Sequence, residues 1–144
     1  MRYSKSTRYA LYAAIEMAVA DGPVTVALVS KRFRIPETAL AKVMQALVRA
    51  GIARGVRGVG GGYVLTRPIG EVTTLDVIAV FDPPRREGQC LLEDGAPANC
   101  GEDLDCRLRR LFDEVDEQVR CTFASVTLAT LVRRPLAAPL RQPQ

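Results

Sequence analysis

The 144-residue sequence contains no histidine. Histidine is the commonest general acid or base in enzymes and a frequent ligand of structural zinc. The sequence also has no nucleophile motif and no close Cys-x2-Cys pair, the usual marks of a hydrolase and of a zinc site. We therefore expect a protein without catalytic residues, and a zinc site is disfavoured.

Long apolar runs are missing as well. The run over residues 10–20 is too short to cross a bilayer and contains Glu16. The charged residues at the beginning of the chain do not have the layout of a signal peptide. We expect a cytoplasmic protein with no membrane partner.

Acidic residues are scarce in the first half of the chain. Residues 1–70 hold eleven lysines and arginines against three acidic residues, a net charge of +8. The remaining residues hold nine basic and thirteen acidic side chains, a net charge of −4. Two ordinarily charged surfaces would explain this division, but a basic half joined to an acidic half is also typical of a nucleic-acid-binding region with a separate partner or sensor region.

The basic half shows a helix-turn-helix pattern. Apolar spacing predicts a helix over 7–20, a second over 26–33 that begins after Thr25, and a third over 37–50 that ends at Gly51. In the third helix an apolar stripe should face the core: Leu40, Val43, Met44 and Leu47. The opposite face carries side chains that can donate hydrogen bonds to phosphates or base edges: Thr38, Lys42, Gln45 and Arg49.

A glycine-rich hairpin is predicted next. Two short strands, over 52–54 and 63–65, flank the glycine-rich residues 55–62. Glycine allows the backbone to approach another surface closely, and Arg54 and Arg57 would make that surface a phosphate backbone or a minor groove. A nucleotide-binding phosphate loop is excluded, because no Gly-Lys-Ser/Thr follows and the loop leads into a strand.

Three cysteines follow a short helix that is predicted to begin after Thr73 or Thr74 and to end near Phe81. They are spaced Cys-x9-Cys-x5-Cys in a loop rich in proline, glycine and acidic residues: Cys90, Cys100 and Cys106. Regulatory disulfide formation, zinc binding, inert packing and an iron–sulfur cluster all remain open from the spacing alone.

The last predicted helix carries an apolar seam at three- and four-residue steps: Leu104, Leu108, Leu111, Val115, Val119, Thr122 and Val126. Its other face is almost wholly charged, so the seam is predicted to pair with a second copy, although packing on its own domain is the alternative. Cys121 lies beside this seam and is expected to be a packed small hydrophobe.

Two motifs carry a family resemblance, Arg8-Tyr9-Ala10 near the start and Arg57-Gly58-Val59-Gly60-Gly61-Gly62-Tyr63 in the hairpin. On these residues the chain resembles the IscR/NsrR-type family of winged helix-turn-helix iron–sulfur transcriptional regulators over residues 1–132. The resemblance implies that helix three enters the major groove and that the wing arginine reaches the minor groove. It thus points to Thr38, Lys42 and Arg57 as DNA contacts. Some relatives have a base-reading glutamate where this chain has Ala41, so its operator is expected to differ.

The resemblance also implies a 2Fe-2S or 4Fe-4S cluster on Cys90, Cys100 and Cys106. The first cysteine interval is longer here than is usual in the family. The two family positions for a fourth ligand, a histidine and an aspartate, are occupied by Arg109 and Arg8. The expected fourth ligand is therefore water, a small thiol or one of the oxygen donors of the loop: Glu93, Asp94, Glu102, Asp103 and Asp105.

The sequence thus predicts a mainly α-helical winged helix-turn-helix protein with a small β-hairpin and a long C-terminal dimerisation helix. Its expected parts are a DNA-binding domain over 1–81, a cysteine-bearing cluster loop over 82–102, a dimerisation helix followed by a short final helix over 103–134, and a flexible tail over 135–144. The expected function is that of a homodimeric regulator, most simply a repressor, of a palindromic operator, controlled by an iron–sulfur cluster that senses iron, redox state or nitric oxide. The alternatives are a cluster-free regulator switched by thiol oxidation or a partner protein, and a small electron carrier. The expected DNA contacts are Thr38, Lys42, Gln45, Arg49, Arg54, Arg57, Gly60 and Tyr63.

Overall fold

The computed structural model describes residues 3–84, 90–92 and 106–133. These residues form six helices and one two-stranded antiparallel sheet: α1 (Lys5–Val19), α2 (Val26–Phe33), α3 (Glu37–Arg49), β1 (Ala53–Val56), β2 (Gly62–Leu65), α4 (Thr74–Phe81), α5 (Arg107–Ser125) and α6 (Leu128–Arg133). The predicted fold class, mainly helical with a hairpin after the third helix, is confirmed. In the described part of the chain, no helix has the length and apolar character that a membrane span requires.

The helix-turn-helix consists of α2, a tight turn and α3. Thr25 begins α2, because its hydroxyl oxygen accepts a hydrogen bond from the backbone N–H of Leu28 at 3.1 Å. Arg34 ends the helix in a left-handed conformation with φ of 54°. The turn is fixed by the Ser30 hydroxyl, which donates to the carbonyl of Ile35 at 2.6 Å. This geometry lets α3 begin within three residues of the end of α2.

The core lies between α1 and α3, and α2, the hairpin and α4 close it. The predicted stripe on α3 is confirmed, since all four of its residues are buried: Leu40, Val43, Met44 and Leu47. Small residues of α1, among them Ala10, Ala13 and Ala14, are fully buried. They let the two helices pack closely, because an alanine methyl group adds little width at the contact.

The hairpin is longer than the two predicted strand segments. Four residue pairs form its ladder, from Ala53 opposite Leu65 to Val56 opposite Gly62. An isolated bridge also joins Val24 to Tyr63, with N–H···O distances of 2.9 Å in both directions. The segment before α2 therefore pairs with β2 on the edge that does not face β1, close to the tip of the hairpin.

Helix α4 connects the hairpin to the rest of the chain and begins with a capping box. The Thr73 hydroxyl accepts from the N–H of Asp76 at 3.1 Å, and the Asp76 carboxylate accepts from the N–H of Thr73 at 2.9 Å. The prediction of a helix from Thr73 or Thr74 to Phe81 is thereby confirmed. At the other end, Asp82 accepts hydrogen bonds from the beginning of α1, from the Ser4 N–H at 2.8 Å and the Thr7 hydroxyl at 2.6 Å.

Helix α5 begins at Arg107, and residues 103–105 of the predicted helical segment lie outside the described residues. It has no buried residue, and its described neighbour is α4. The predicted seam divides between two faces: Leu108, Leu111 and Val115 are exposed, whereas Val119 is half-buried against the chain itself. Val126 lies at the C-cap and not within the helix.

Candidate DNA interface and cysteine positions

The outer face of α3 is the first part of the candidate interface. All four polar residues predicted to contact DNA are exposed: Thr38, Lys42, Gln45 and Arg49. The helix is anchored by its buried opposite face, so this polar row is held on a rigid element. The placement fits a recognition helix, whose side chains must project from a fixed axis into a groove.

The hairpin supplies the second part. Arg54 and Arg57 are exposed, and the tip between the strands carries Val59, which is fully exposed. Gly60 has a φ of +76°, a conformation that a side chain would strain. The hydrogen bond from the Gly61 N–H to the Gly58 carbonyl, at 3.0 Å, closes the tip. The result is a narrow basic projection beside α3.

Tyr63 differs from the other seven predicted contacts. It is half-buried, it packs against the core, and both its N–H and its carbonyl are bonded to Val24. The structure therefore gives Tyr63 a supporting position in the wing, against Val24 and the core, whereas Gly60 lies in the exposed tip.

The cations of this surface are available to a polyanion. Among the described residues, no carboxylate pairs with Lys42, Arg49, Arg54 or Arg57. By contrast, Arg32 of α2 binds the buried Glu16 of α1 at 2.9 Å. This ion pair was not visible in the sequence, because sixteen residues separate its partners and neither belongs to a local charge pattern.

Two of the three predicted cluster cysteines lie in the described part of the chain. Cys90 is half-buried and Cys106 is exposed, and both are free thiols. Cys100 and the five candidate oxygen ligands lie outside the described residues. Within the described ranges no group of three potential metal ligands is found. The two thiols fit a thiolate-bound cluster in their donor chemistry, because neither is engaged in a disulfide.

Cys106 stands directly before α5, at its N-cap. The first four residues of α5 include Arg107, Arg109 and Arg110, and its first turn has no acidic residue. This arrangement opposes the helix dipole, whose positive end prefers negative charge. An anionic group bound through the Cys106 thiolate would relieve the conflict, so the local charge favours such a ligand.

Cys121 does not pack as expected. It is exposed on α5, and its thiol donates to the Glu117 carboxylate at 3.4 Å. This hydrogen bond, with some burial, raises the pKa of the Cys121 thiol. Arg120 donates to the same carboxylate, and its hydrogen bonds lower the pKa of Glu117. The expectation of a packed small hydrophobe is wrong for the single chain, because none of the described residues packs over Cys121.

An apolar surface runs along the exposed side of α5. Four large side chains remain 41% to 61% exposed, and they are Leu108, Leu111, Phe112 and Val115. The charged residues Asp113 and Asp116, assigned to the outer face from the sequence, are half-buried on the side toward the chain. Exposed apolar patches on a helix are typical of an interaction surface.

Comparison with known proteins finds one matching family and several similar transcriptional regulators. Residues 3–134 match the Rrf2 family, described as iron-dependent transcriptional regulators. BadM of Rhodopseudomonas palustris is 34% identical over 134 residues, which cover 92% of this chain and 82% of that protein. The transcriptional regulator IscR of Xenorhabdus nematophila is 30% identical over 135 residues, which cover 92% of this chain and 80% of that protein.

Solved structures agree with the fold. CymR, the global cysteine regulator of B. subtilis, superimposes with a TM-score of 0.73 at 28% identity, over 92% of this chain and 96% of that one. IscR of T. potens has a TM-score of 0.73 at 22% identity, over the whole of this chain and 93% of that one, a likeness of fold alone.

Proposed function

Because this chain belongs to the Rrf2 family of iron-dependent transcriptional regulators, we propose that it is a homodimeric repressor of a palindromic operator controlled by an iron–sulfur cluster. That it is a helix-turn-helix transcriptional regulator, and not an enzyme, follows from the family itself. The division proposed is a DNA-binding domain over 1–81, a cluster loop over 82–102, a dimerisation region over 103–134 and a tail over 135–144. The protein would act in the cytoplasm, because its operator DNA lies there.

One observation carries the DNA-binding proposal: α3 buries one face completely and presents a polar, basic face that is exposed. Lys42 and Arg49 would bind phosphates, and Thr38 and Gln45 would reach base edges. The wing adds Arg54 and Arg57 on the backbone or in the minor groove, with Gly60 allowing close approach at the tip. Tyr63 would act by holding the wing in place.

The dimer is proposed from α5. Its exposed apolar residues form a face that no other described residue covers. A second copy of the chain would bury this face. Two-fold symmetry would then set two recognition helices about 34 Å apart, which matches successive major grooves on one side of DNA. A palindromic operator is the expected target for that arrangement.

Binding to DNA is tested with the purified dimer and a library of duplexes that yields the preferred operator. Lys42→Ala and Arg57→Ala should each weaken operator binding by about 1–3 kcal/mol. Gln45→Ala should instead reduce discrimination between operator and scrambled DNA. Arg133→Ala, on α6, serves as the matched loss of one exposed arginine and should leave affinity unchanged. Equal affinity for wild type and all three interface variants would overturn the interface.

The cluster is proposed on Cys90, Cys100 and Cys106. Two of these are free thiols in the described residues, and the arginines at the beginning of α5 would stabilise an anionic group beside Cys106. When bound, an iron–sulfur cluster supplies a centre that oxygen, nitric oxide or iron shortage can destroy. Because Cys106 directly precedes α5, its ligation would act at the start of the proposed dimer helix. The fourth ligand is not histidine, since the chain has none.

Anaerobic purification tests the cluster, with iron and sulfide counted per chain and the absorbance and Mössbauer spectra recorded. We expect a coloured protein whose operator affinity changes when the cluster is removed by oxygen. Cys90→Ala should lose or destabilise the cluster, and Cys121→Ala, the matched cysteine control, should keep it. A colourless wild-type protein whose DNA binding ignores oxygen would leave the regulator and remove the cluster.

A cluster-free regulator switched by thiol oxidation is the second candidate. It is favoured by two exposed thiols, Cys106 and Cys121, and by the likeness to a cysteine regulator, CymR. Under this alternative, iron would be absent and peroxide would change operator affinity in wild type but not in Cys106→Ala. A small electron carrier is less well supported, because it would not need the exposed basic faces of α3 and the wing.

A further inference from the structure

A basic and aromatic stripe on α1 lies outside the interface described so far. Lys5, Arg8, Tyr9 and Tyr12 follow one another at positions i, i+3, i+4 and i+7 of the helix, so they share one face. Together with Phe33 and Ile35 they line an open groove of about 340 Å³. We propose that this groove, here called the α1 groove, is a second contact with the phosphate backbone of the same operator.

The charge of the α1 groove favours an anion. Lys5 and Arg8 are exposed, and within the described ranges neither has a carboxylate partner. The only acidic residue of α1, Glu16, is buried and paired with Arg32. Arg34, which lies between the groove residues Phe33 and Ile35, is also exposed. Lysine, arginine and tyrosine side chains are the usual donors to DNA phosphates.

The aromatic rings of the groove exclude a planar ligand between them. The ring centroids of Tyr12 and Phe33 are 4.7 Å apart with an interplanar angle of 34°, so no slot separates them. Tyr12 is nevertheless 48% exposed. The two tilted rings pack against each other beside the cations, and one of them stays in contact with water. This arrangement suits a phosphate backbone that passes over the rings better than a small molecule enclosed between them.

The position of the groove connects it to the recognition helix. Ile35 lines the groove, and Thr38, a proposed DNA contact, follows three residues later in the first turn of α3. The hairpin begins at the other end of α3, a helix of 13 residues that spans about 20 Å. The α1 groove thus lies beside the first turn of the recognition helix, and it would bind phosphates that flank the bases read by α3.

This inference rests on the proposed function, and the salt dependence of DNA binding separates the two. Each phosphate contact contributes about 0.9 to the slope of log affinity against log salt concentration. Because the homodimer carries two copies of each residue, the double variant Lys5→Gln/Arg8→Gln removes four proposed phosphate contacts and should flatten that slope by about 3.6. It should weaken operator and scrambled duplexes by the same factor, because phosphates carry no sequence information. Lys5→Arg should keep the wild-type slope, and Arg133→Gln, the loss of one exposed charge on α6, should leave it unchanged.

Duplex length provides the second measurement. If the groove binds flanking phosphates, the double variant and wild type should bind equally to a duplex trimmed to the bases under α3 and the wing. An unchanged salt slope in a double variant that still binds the operator would overturn the α1 groove and leave the proposed function intact. A selective loss of operator over scrambled DNA would also overturn it, because it would indicate base reading. A wild-type protein without salt-dependent DNA affinity would overturn both.

Discussion

The DNA-binding head, residues 3–81, and helix α5 differ in how far their apolar residues are buried. The head buries its apolar side chains among α1, α3, α4 and the hairpin. Helix α5 buries none and leaves Leu111 53% exposed. The head is therefore ordered by contacts within one chain, whereas the apolar side of the amphipathic α5 is not covered by any other part of the chain that the structure describes. The same sequence rule, an apolar stripe at helical spacing, thus produces a core in one region and an interface in the other.

The largest effect is expected from breaking the interface on α5. Leu111→Glu would place a charge where the proposed dimer buries an apolar side chain, and should yield monomers by light scattering. Losing the second half-site should lower operator affinity by about 100- to 10,000-fold. Val19→Glu, at a similarly exposed residue of α1, should keep the dimer. A dimeric Leu111→Glu protein would show that α5 does not pair through this face.

The core of the head is the next target. Leu47→Ala removes a fully buried side chain and should lower the free energy of unfolding by about 2–5 kcal/mol in urea titrations at fixed protein concentration. The neighbouring Val48→Ala, 37% exposed, should change it by about 0.5 kcal/mol or less. Equal losses at the two positions would contradict the orientation of α3.

A smaller effect is expected at the joint between the two regions. The buried Thr74 hydroxyl donates to the carbonyl of Phe123 at 2.8 Å, and the Thr74 N–H bonds the Val126 carbonyl at the same distance. Thr74→Val keeps the shape but leaves a helix-end carbonyl without its donor, at a cost of about 1 kcal/mol. Thr38→Val, on the exposed face of α3, is the control. Faster amide exchange in α5 of the Thr74 variant, with the head unchanged, would sharpen the comparison.

The smallest effect concerns acid stability. Hydrogen bonds from Thr7 and Ser4 lower the pKa of Asp82 in the folded protein. The ionised group therefore contributes stability that is present above its unfolded pKa of about 4 and lost as the pH falls through the lower folded value. Asp82→Asn should be less stable than wild type at pH 6, and the difference should shrink as the pH falls below about 4. A gap that stays constant with pH would mean that the charge of Asp82 contributes nothing.

The head was predictable because its signals are local. The stripe on α3 needs only the helical period, and the Thr25 and Thr73 caps need only the residues that follow them. The tie from Asp82 to Thr7 was not predictable, because 75 residues separate the two side chains and neither shows a periodic pattern.

The candidate site was predictable in part for the same reason. The exposed face of α3 is the complement of its buried stripe, so its four polar residues could be assigned from spacing. The environment of Tyr63 depends on the bridge to Val24, a contact between segments that the sequence does not pair. On α5, a run of three- and four-residue steps cannot say which apolar residues turn toward α4, and Val119 was therefore placed on the wrong side.

The contact between the wing and Val24 has a consequence for the entropy that is lost on binding. A Cβ added to Gly62 would lie 2.6 Å from the carbonyl oxygen of Val24, so the two backbones are in direct contact. The wing is thus held in place at Gly62, where its ladder ends, whereas a Cβ added to Gly58 or Gly60 in the tip would meet nothing within 4 Å. A rigid mount means that little conformational entropy remains to be lost when the wing meets its target. A substitution at position 62 would then change the direction in which the wing points, even though glycine has no side chain that could contact the target.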